Sequence, residues 1–290
     1  MSILDKIEKY EILDLIRISI EEDLCGYGDV TTKFLISPEN RSGAYIICKE
    51  KEGAVLSGID VIGYILEEIC TEVDYKKLKE DSSKINEFDI ICTIYGKTQE
   101  LLAAERICLN FLQHMTGIAT CTHKFVEIAS EYNVKVADTR KTKPGLRKLE
   151  KYAVFCGGGF NHRFGLFDGI LIKDNHVIAA GGVKNAVEAI RNRIPHQLKI
   201  EVEVRDLNEL DEAIESRVDI IMLDNMDIET IKASVKKIRQ TLSDSCLIEV
   251  SGGITLNNLK EICKTGIDII SAGAITHSAL SADFSLEFKE

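Results

Sequence analysis

Hydrophobic spacing changes character about halfway along the chain. Apolar residues recur at helical period over Ile3–Leu24, then fall into short runs at Gly43–Lys49 and Gly53–Leu56. Val61–Cys70 reads as a helix again and Phe88–Tyr95 as a strand. Helix, strands, helix, strands is the pattern of an antiparallel sheet covered by helices, an α/β sandwich. Thr98 then caps a long helix with Leu101, Ala104, Cys108, Phe111, Leu112 and Met115 on one stripe. Gly117 is expected to interrupt that helix, which divides the chain into domains of residues 1–116 and 117–290.

Beyond Val134 the rhythm is strand and helix in alternation. Six apolar, β-branched runs appear at 134–137, 169–172, 199–204, 218–223, 247–250 and 267–271, with helical stretches such as Val183–Arg193 and Leu207–Ser216 between the later ones. Strands separated by helices predict a parallel sheet covered by helices. Both an α/β (TIM-like) barrel and an open doubly wound sheet fit. Polar residues follow nearly every run at its C-terminal end, at Asp138–Lys141, Lys173–His176, Asp224-Asn225, Ser251–Gly253 and Ala272-Gly273. Six strands feeding one mouth suits a barrel better than a switch-point crevice, which recruits two or three. A complete barrel needs eight strands, so the expected barrel is incomplete unless one near 119 or 155 is hidden.

Charge adds a second layer. The chain carries −11, yet residues 138–173 hold eight Lys/Arg against three acids, a local balance of +5. Segregation of that kind focuses field into a cleft that takes a multiply charged anion. The RKLEK stretch at 147–151 is read separately, as an exposed basic helix face. An acidic pI of about 5.2 argues against a nucleic-acid partner. No apolar run reaches the roughly 18 residues of a membrane span. Nine irregularly spaced cysteines, with no C-x-x-C pair, suit reduced thiols and a cytoplasmic location.

Particular residue types sharpen the ligand. Arg140 and Arg163 offer planar forks suited to carboxylates, Lys173 a point charge, and His162 either a donor or a general acid/base. Lys173, at a strand end, has a second reading as a Schiff-base lysine. Ser251-Gly252-Gly253 and Ser271-Ala272-Gly273 follow the last two strands, where glycine lets backbone N–H groups approach a phosphate. Glu203 and Asp224 end successive strands, an arrangement that suits Mg²⁺ shared with substrate oxygens. Glu201 lies on the same face as Glu203 and competes with it for that role. His114, His123, His196 and His277 read as structural.

The segment TRKTKPGLRKLEKYAVFCGGGFNHRFGLFDGILIKDNH (139–176) closely resembles the signature of the quinolinate phosphoribosyltransferases, or carboxylating nicotinate-nucleotide pyrophosphorylases. The likeness continues through EEDLCGYGDVTT, AAERICLNFLQHMTGIAT, KIEVEV, IMLDNM, IEVSGGIT and DIISAGAIT, in the family's order. The resemblance implies an N-terminal α/β sandwich and a C-terminal incomplete α/β barrel. It implies transfer of phosphoribosyl from 5-phosphoribosyl-1-pyrophosphate (PRPP) to quinolinate with Mg²⁺, giving nicotinate mononucleotide, pyrophosphate and CO₂. It also implies a homodimer, or a hexamer of dimers, with active sites shared between subunits. By the same resemblance, Thr139, Arg140, His162, Arg163 and Lys173 form the quinolinate pocket, and Arg106 is the arginine lent by the partner subunit. Lys141 stands near the pyrophosphate, Glu203 and Asp224 hold the ribose and metal side, and Ser251–Gly253 with Ala272-Gly273 cradle the 5′-phosphate. Lys143 departs from the pattern, since many relatives carry a neutral residue there.

Overall fold

Lys9–Leu24 forms the first helix, α1, and the computed structural model describes residues 6–289. Positions 3–5 of the expected helix lie outside the described residues. After α1 come α2 (Val30–Leu35), β1 (Arg41–Cys48), β2 (Ala54–Val55), α3 (Ile59–Ile69), β3 (Val73–Lys77), β4 (Lys84–Ile85) and β5 (Ile90–Lys97). The helix α4 (Thr98–Ser130) leads to β6 (Lys135–Ala137), α5 (Arg147–Cys156), β7 (Ile170–Ile172), α6 (Asp174–Ala180), α7 (Val183–Arg191) and β8 (Ile200–Val204). The remainder is α8 (Leu207–Glu215), β9 (Ile220–Asp224), α9 (Ile228–Leu242), β10 (Leu247–Ser251), α10 (Leu256–Cys263), β11 (Ile269–Ser271), α11 (Ala274–His277) and β12 (Phe284–Phe288). Two compact units result, and they interleave along the chain. The first takes the sequence up to His123, Lys143–Gly158 and the segment from Ala279; the second takes Lys124–Thr142 and Gly159–Ser278.

The first unit is built on an antiparallel sheet of order β12-β1-β5-β3, beside a small β2-β4 pair. Its helix α3 buries Ile59, Val61, Ile62, Ile65 and Leu66, the stripe that the apolar spacing predicts. The last strand, β12, pairs with β1 from Ala44↔Phe288 to Cys48↔Phe284. The sequence pattern does not anticipate that strand.

Helix α4 runs uninterrupted through Gly117, contrary to the expected break. Glycine is there for proximity, because an added Cβ would lie 2.0 Å from the Leu280 carbonyl oxygen. Gly117→Ala would gain about 1 kcal/mol in helix propensity. Against this, a contact to rigid backbone costs about 1–3 kcal/mol or more in overpacking. We expect the variant to unfold at lower urea concentration than the parent; a higher midpoint would mean that this close approach is absent in solution.

The RKLEK reading also needs correction. Glu150 and Lys151 are fully buried, and Arg147 and Lys148 are half-buried. Glu150 accepts hydrogen bonds from His114 Nε2 (3.0 Å) and the Lys143 N–H (3.3 Å), while Lys148 pairs with Glu11. With Leu149, Tyr152, Ala153, Val154 and Cys156 buried as well, α5 is a core helix of the first unit. Periodicity marks the apolar positions of such a helix but not which of its charges find partners.

The second unit holds one six-stranded sheet of order β6-β11-β10-β9-β8-β7, parallel throughout. Strands in cyclic chain order, with the first joined to the last, are the mark of a barrel; a doubly wound sheet reverses direction at a switch point. Among the described residues no ladder joins β6 to β7, so the barrel is incomplete. Phe160 bridges Ala137 on the free side of β6.

Register sorts the side chains. Leu171↔Glu201, Glu203↔Met222, Met222↔Glu249 and Asp224↔Ser251↔Ser271↔Ala137 are partners, so these residues share one face. Val202, Val204, Ile221, Leu223, Ile248, Val250 and Ile270 occupy the other face and are buried. One face is therefore aliphatic and the other strongly polar.

Candidate active site

Strand ends and the loops just beyond them carry the polar groups. Lys173, one residue past β7, forms an ion pair with Glu203 of the adjacent strand β8. The pairing follows from register: Leu171 faces Glu201, so Lys173 falls level with Glu203 two residues on.

Asp138 organises the next group. It is completely buried at the end of β6, where its Oδ1 accepts the His162 N–H and its Oδ2 accepts Asn161 Nδ2, each at 2.8 Å. This carboxylate anchors the Asn161-His162-Arg163 turn. Arg163 is half-buried and donates from Nη1 to the Gly169 carbonyl (3.1 Å). Burial, and then the like charge of Arg140, hold its guanidinium below the ordinary arginine range. Two arginines close enough to repel are a prepared seat for an anion carrying more than one carboxylate. Arg140 itself is exposed.

Lys141 packs against the loop after β11. Its N–H reaches Thr139 Oγ1 (3.0 Å), and its carbonyl accepts Thr276 Oγ1 (2.9 Å) from α11. An added Cβ on Gly273 would meet Lys141 Cδ at 3.0 Å, so this lysine lies directly over the Ala272-Gly273 loop. The other loop is glycine-dependent by geometry. Gly252 and Gly253 have φ of +92° and +60°, and an added Cβ on Gly252 would strike Asn225 Oδ1 at 2.2 Å. Asn225 also donates its N–H to the Ser251 carbonyl (2.9 Å) and its Nδ2 to Asp224 Oδ2 (2.7 Å). Asp224 is thus tied to the Ser251 loop.

Beneath these groups lies a cluster that joins His162 and Glu201 to Glu249, an acid that sequence reasoning did not single out. His162 Nε2 lies 3.2 Å from Glu201 Oε2 and 3.7 Å from Glu249 Oε1, and both carboxylates are buried. Their spacing, within 4.8 Å of one another, is that of a metal site. Nε2 faces two acceptors and Nδ1 already accepts the Arg163 N–H (2.8 Å), so the imidazole offers no lone pair to a metal. The hard-oxygen alternative is Glu203 with Asp224. Two carboxylates on neighbouring strands, one of them tied through Asn225 to the Ser251 loop, form a donor set that fits Mg²⁺.

The second unit therefore gathers Thr139, Arg140, Lys141, His162, Arg163, Lys173, Glu203, Asp224 and the Ser251–Gly253 and Ala272-Gly273 loops. Arg106 is exposed on α4 in the first unit. Among the described residues no helix is long and apolar enough to cross a membrane. A barrel with cations, carboxylates and two glycine loops at its strand ends defines a phosphate-handling α/β enzyme class.

Known proteins narrow the class. Residues 29–116 match the N-terminal domain, and 118–287 the C-terminal domain, of quinolinate phosphoribosyl transferase. A probable nicotinate-nucleotide pyrophosphorylase [carboxylating] of Methanocaldococcus jannaschii is 44% identical over 280 residues, covering 95% of this chain and 96% of its own. The nicotinate-nucleotide pyrophosphorylase [carboxylating] of Mycobacterium leprae is 39% identical, with coverage of 94% and 96%. The structure of the nicotinate-nucleotide pyrophosphorylase from Francisella tularensis superposes with a TM-score of 0.92 at 38% identity, over the whole of both chains. The chain belongs to the quinolinate phosphoribosyltransferase family.

Proposed function

We propose that this protein transfers the phosphoribosyl group of PRPP to quinolinate and releases pyrophosphate and CO₂, so forming nicotinate mononucleotide for NAD synthesis. The observation that carries this reading is the pairing of two anion seats on one barrel. The Arg140/Arg163/Lys173 side suits an aromatic diacid. The glycine loops with Lys141 suit phosphate groups.

Each residue has a task in that reaction. Arg140, Arg163 and Lys173, with Thr139, hold the two carboxylates and aim the ring nitrogen at the anomeric carbon, so that capture is effectively intramolecular. Backbone N–H groups of Ser251–Gly253 and Ala272-Gly273 grip the 5′-phosphate. Lys141 stabilises charge on the departing pyrophosphate. Glu203 and Asp224 face the ribose, where negative charge offsets the cation that develops as pyrophosphate leaves. The same two carboxylates would hold Mg²⁺, which when bound supplies positive charge to the pyrophosphate oxygens. Once alkylated, the ring nitrogen is cationic and accepts the electrons left by the departing CO₂. Lys173 in an ion pair with Glu203 suits a point charge rather than an amine nucleophile. The working form in this reading is a cytoplasmic homodimer, alone or assembled into a hexamer, with Arg106 completing the partner's site.

Assaying quinolinate and nicotinate side by side with PRPP and Mg²⁺ tests the substrate. Quinolinate should be consumed with CO₂ release, and nicotinate, with one carboxylate, should react at least tenfold more slowly. Equal turnover of the two acids would overturn the assignment.

A further inference from the structure

The His162–Glu201–Glu249 cluster must share out its protons, and its geometry restricts how. A backbone amide always carries its hydrogen, and Arg163 N–H points at His162 Nδ1 across 2.8 Å. Nδ1 must therefore present a lone pair; an imidazolium would set one N–H against another. The ring hydrogen is then on Nε2, which donates to Glu201 at 3.2 Å. Glu249 Oε1 sits 3.7 Å from the same nitrogen and takes part in no hydrogen bond, nor does the buried Ser271 Oγ on the same inner face.

Two ionised carboxylates around a neutral ring would leave a doubly negative pocket in the barrel. The charged groups facing it are Lys173, at the end of β7, which pairs with Glu203 and also attracts Glu249; the Arg163 guanidinium, which attracts Glu201; and the Glu201 and Glu203 carboxylates of β8. Glu201 has both the Arg163 charge and the ring N–H, whereas Glu249 Oε1 has no hydrogen bond, so a proton on Glu249 relieves the costlier of the two buried charges.

We propose that Glu249 carries a proton in the form of the enzyme that binds the acceptor best, and that Glu201 and Glu249 together hold His162 as a neutral imidazole that positions Arg163 instead of moving a proton. Burial first, and then the negative charge of Glu201, raise the Glu249 carboxyl to about 7, against the opposing charge of Lys173. His162 thereby becomes a strut. One nitrogen fixes the backbone of the arginine that faces the acceptor, and the other is tied down by Glu201.

A pH effect follows, and it rests on the quinolinate reading. Below about 7 Glu249 is neutral. Above it, the carboxylate adds a negative charge under the cations meant for a diacid, and acceptor binding weakens. One charge at roughly 8 Å in an effective dielectric of about 20–40 changes affinity by about fivefold or more.

The experiment compares KM for quinolinate at pH 6.5 and 8.5 in the parent enzyme and in Glu249→Gln, whose amide mimics the protonated acid. Expressed as the ratio of the two KM values, the parent's rise should exceed the variant's by about fivefold; equal ratios overturn the proposal. Alongside, ¹⁵N-histidine spectra of the substrate-free parent should show His162 with a bare Nδ1 and a protonated Nε2 throughout pH 6–8. An imidazolium signal titrating in that range overturns it equally. The spectra need no substrate, so failure to turn over quinolinate would defeat the functional reading while leaving the protonation state testable.

Discussion

Arg163→Ala should lower kcat/KM for quinolinate by on the order of 10²–10³, with KM for PRPP changing far less. The side chain is half-buried and already braced by the Gly169 carbonyl, so ordering it on binding costs little entropy. Removing one partner of a desolvated, hydrogen-bonded charge pair costs about 2–5 kcal/mol, or roughly 30- to 4,000-fold. Arg140 differs. It is exposed and so less desolvated than Arg163, and its effect should be the smaller of the two. Arg163→Lys supplies the discriminating control. If the guanidinium fork is what matters, lysine restores less than a tenth of the lost efficiency. Recovery to near-parental kcat/KM in Arg163→Lys would reduce the role to simple charge, and an unchanged kcat/KM in Arg163→Ala would remove the residue from the pocket.

The pattern of apolar runs located all six barrel strands, with ends within a residue or two of those observed, because β-branched runs bounded by charge or glycine have few other uses. Polar residues just past those runs pointed to the mouth of the barrel for the same physical reason: buried parallel strands leave only their ends for chemistry. What stayed hidden depends on partners distant in sequence. Phe284–Phe288 has no signal of its own as the edge strand of a sheet whose other members end at Lys97. Lys151 looks like any surface lysine of an amphipathic helix, and only the fold shows that it is buried. Gly117 reads as a helix break unless the Leu280 backbone is known to lie against it.

The same limit applies within the site. Asp138 and Glu249 look in sequence like ordinary acids in or beside strands. Two-residue spacing puts Glu201 and Glu203 on one face, but nothing local says that one meets a histidine and the other a lysine. Register across β7 and β8 decides it. Asp138 offered one readable clue, standing at a strand end directly before the cationic segment. Its role became evident only when both its oxygens were found occupied by the His162 turn.

Activity should reappear when two inactive variants, Arg106→Ala and Lys173→Ala, are mixed and allowed to exchange subunits. Arg106 is exposed on α4 in the first unit, whereas Lys173 stands at a barrel strand end in the second. In a two-fold dimer with shared sites, each homodimeric variant has a lesion in both sites. A hybrid dimer differs, because one of its sites collects both lesions and the other collects none. Random assortment makes half of the dimers hybrid, and each hybrid has one intact site of two, so about a quarter of parental activity should return. Recovery should follow the rate of subunit exchange measured by mass spectrometry, and kcat/KM per intact site should equal the parent's, since the restored site is chemically whole. If exchange is complete and activity stays at the level of the separate variants, Arg106 does not serve a partner's site. That result would leave the diacid pocket with the cations of one barrel alone, and the test of Arg163 would then carry the whole case for acceptor recognition.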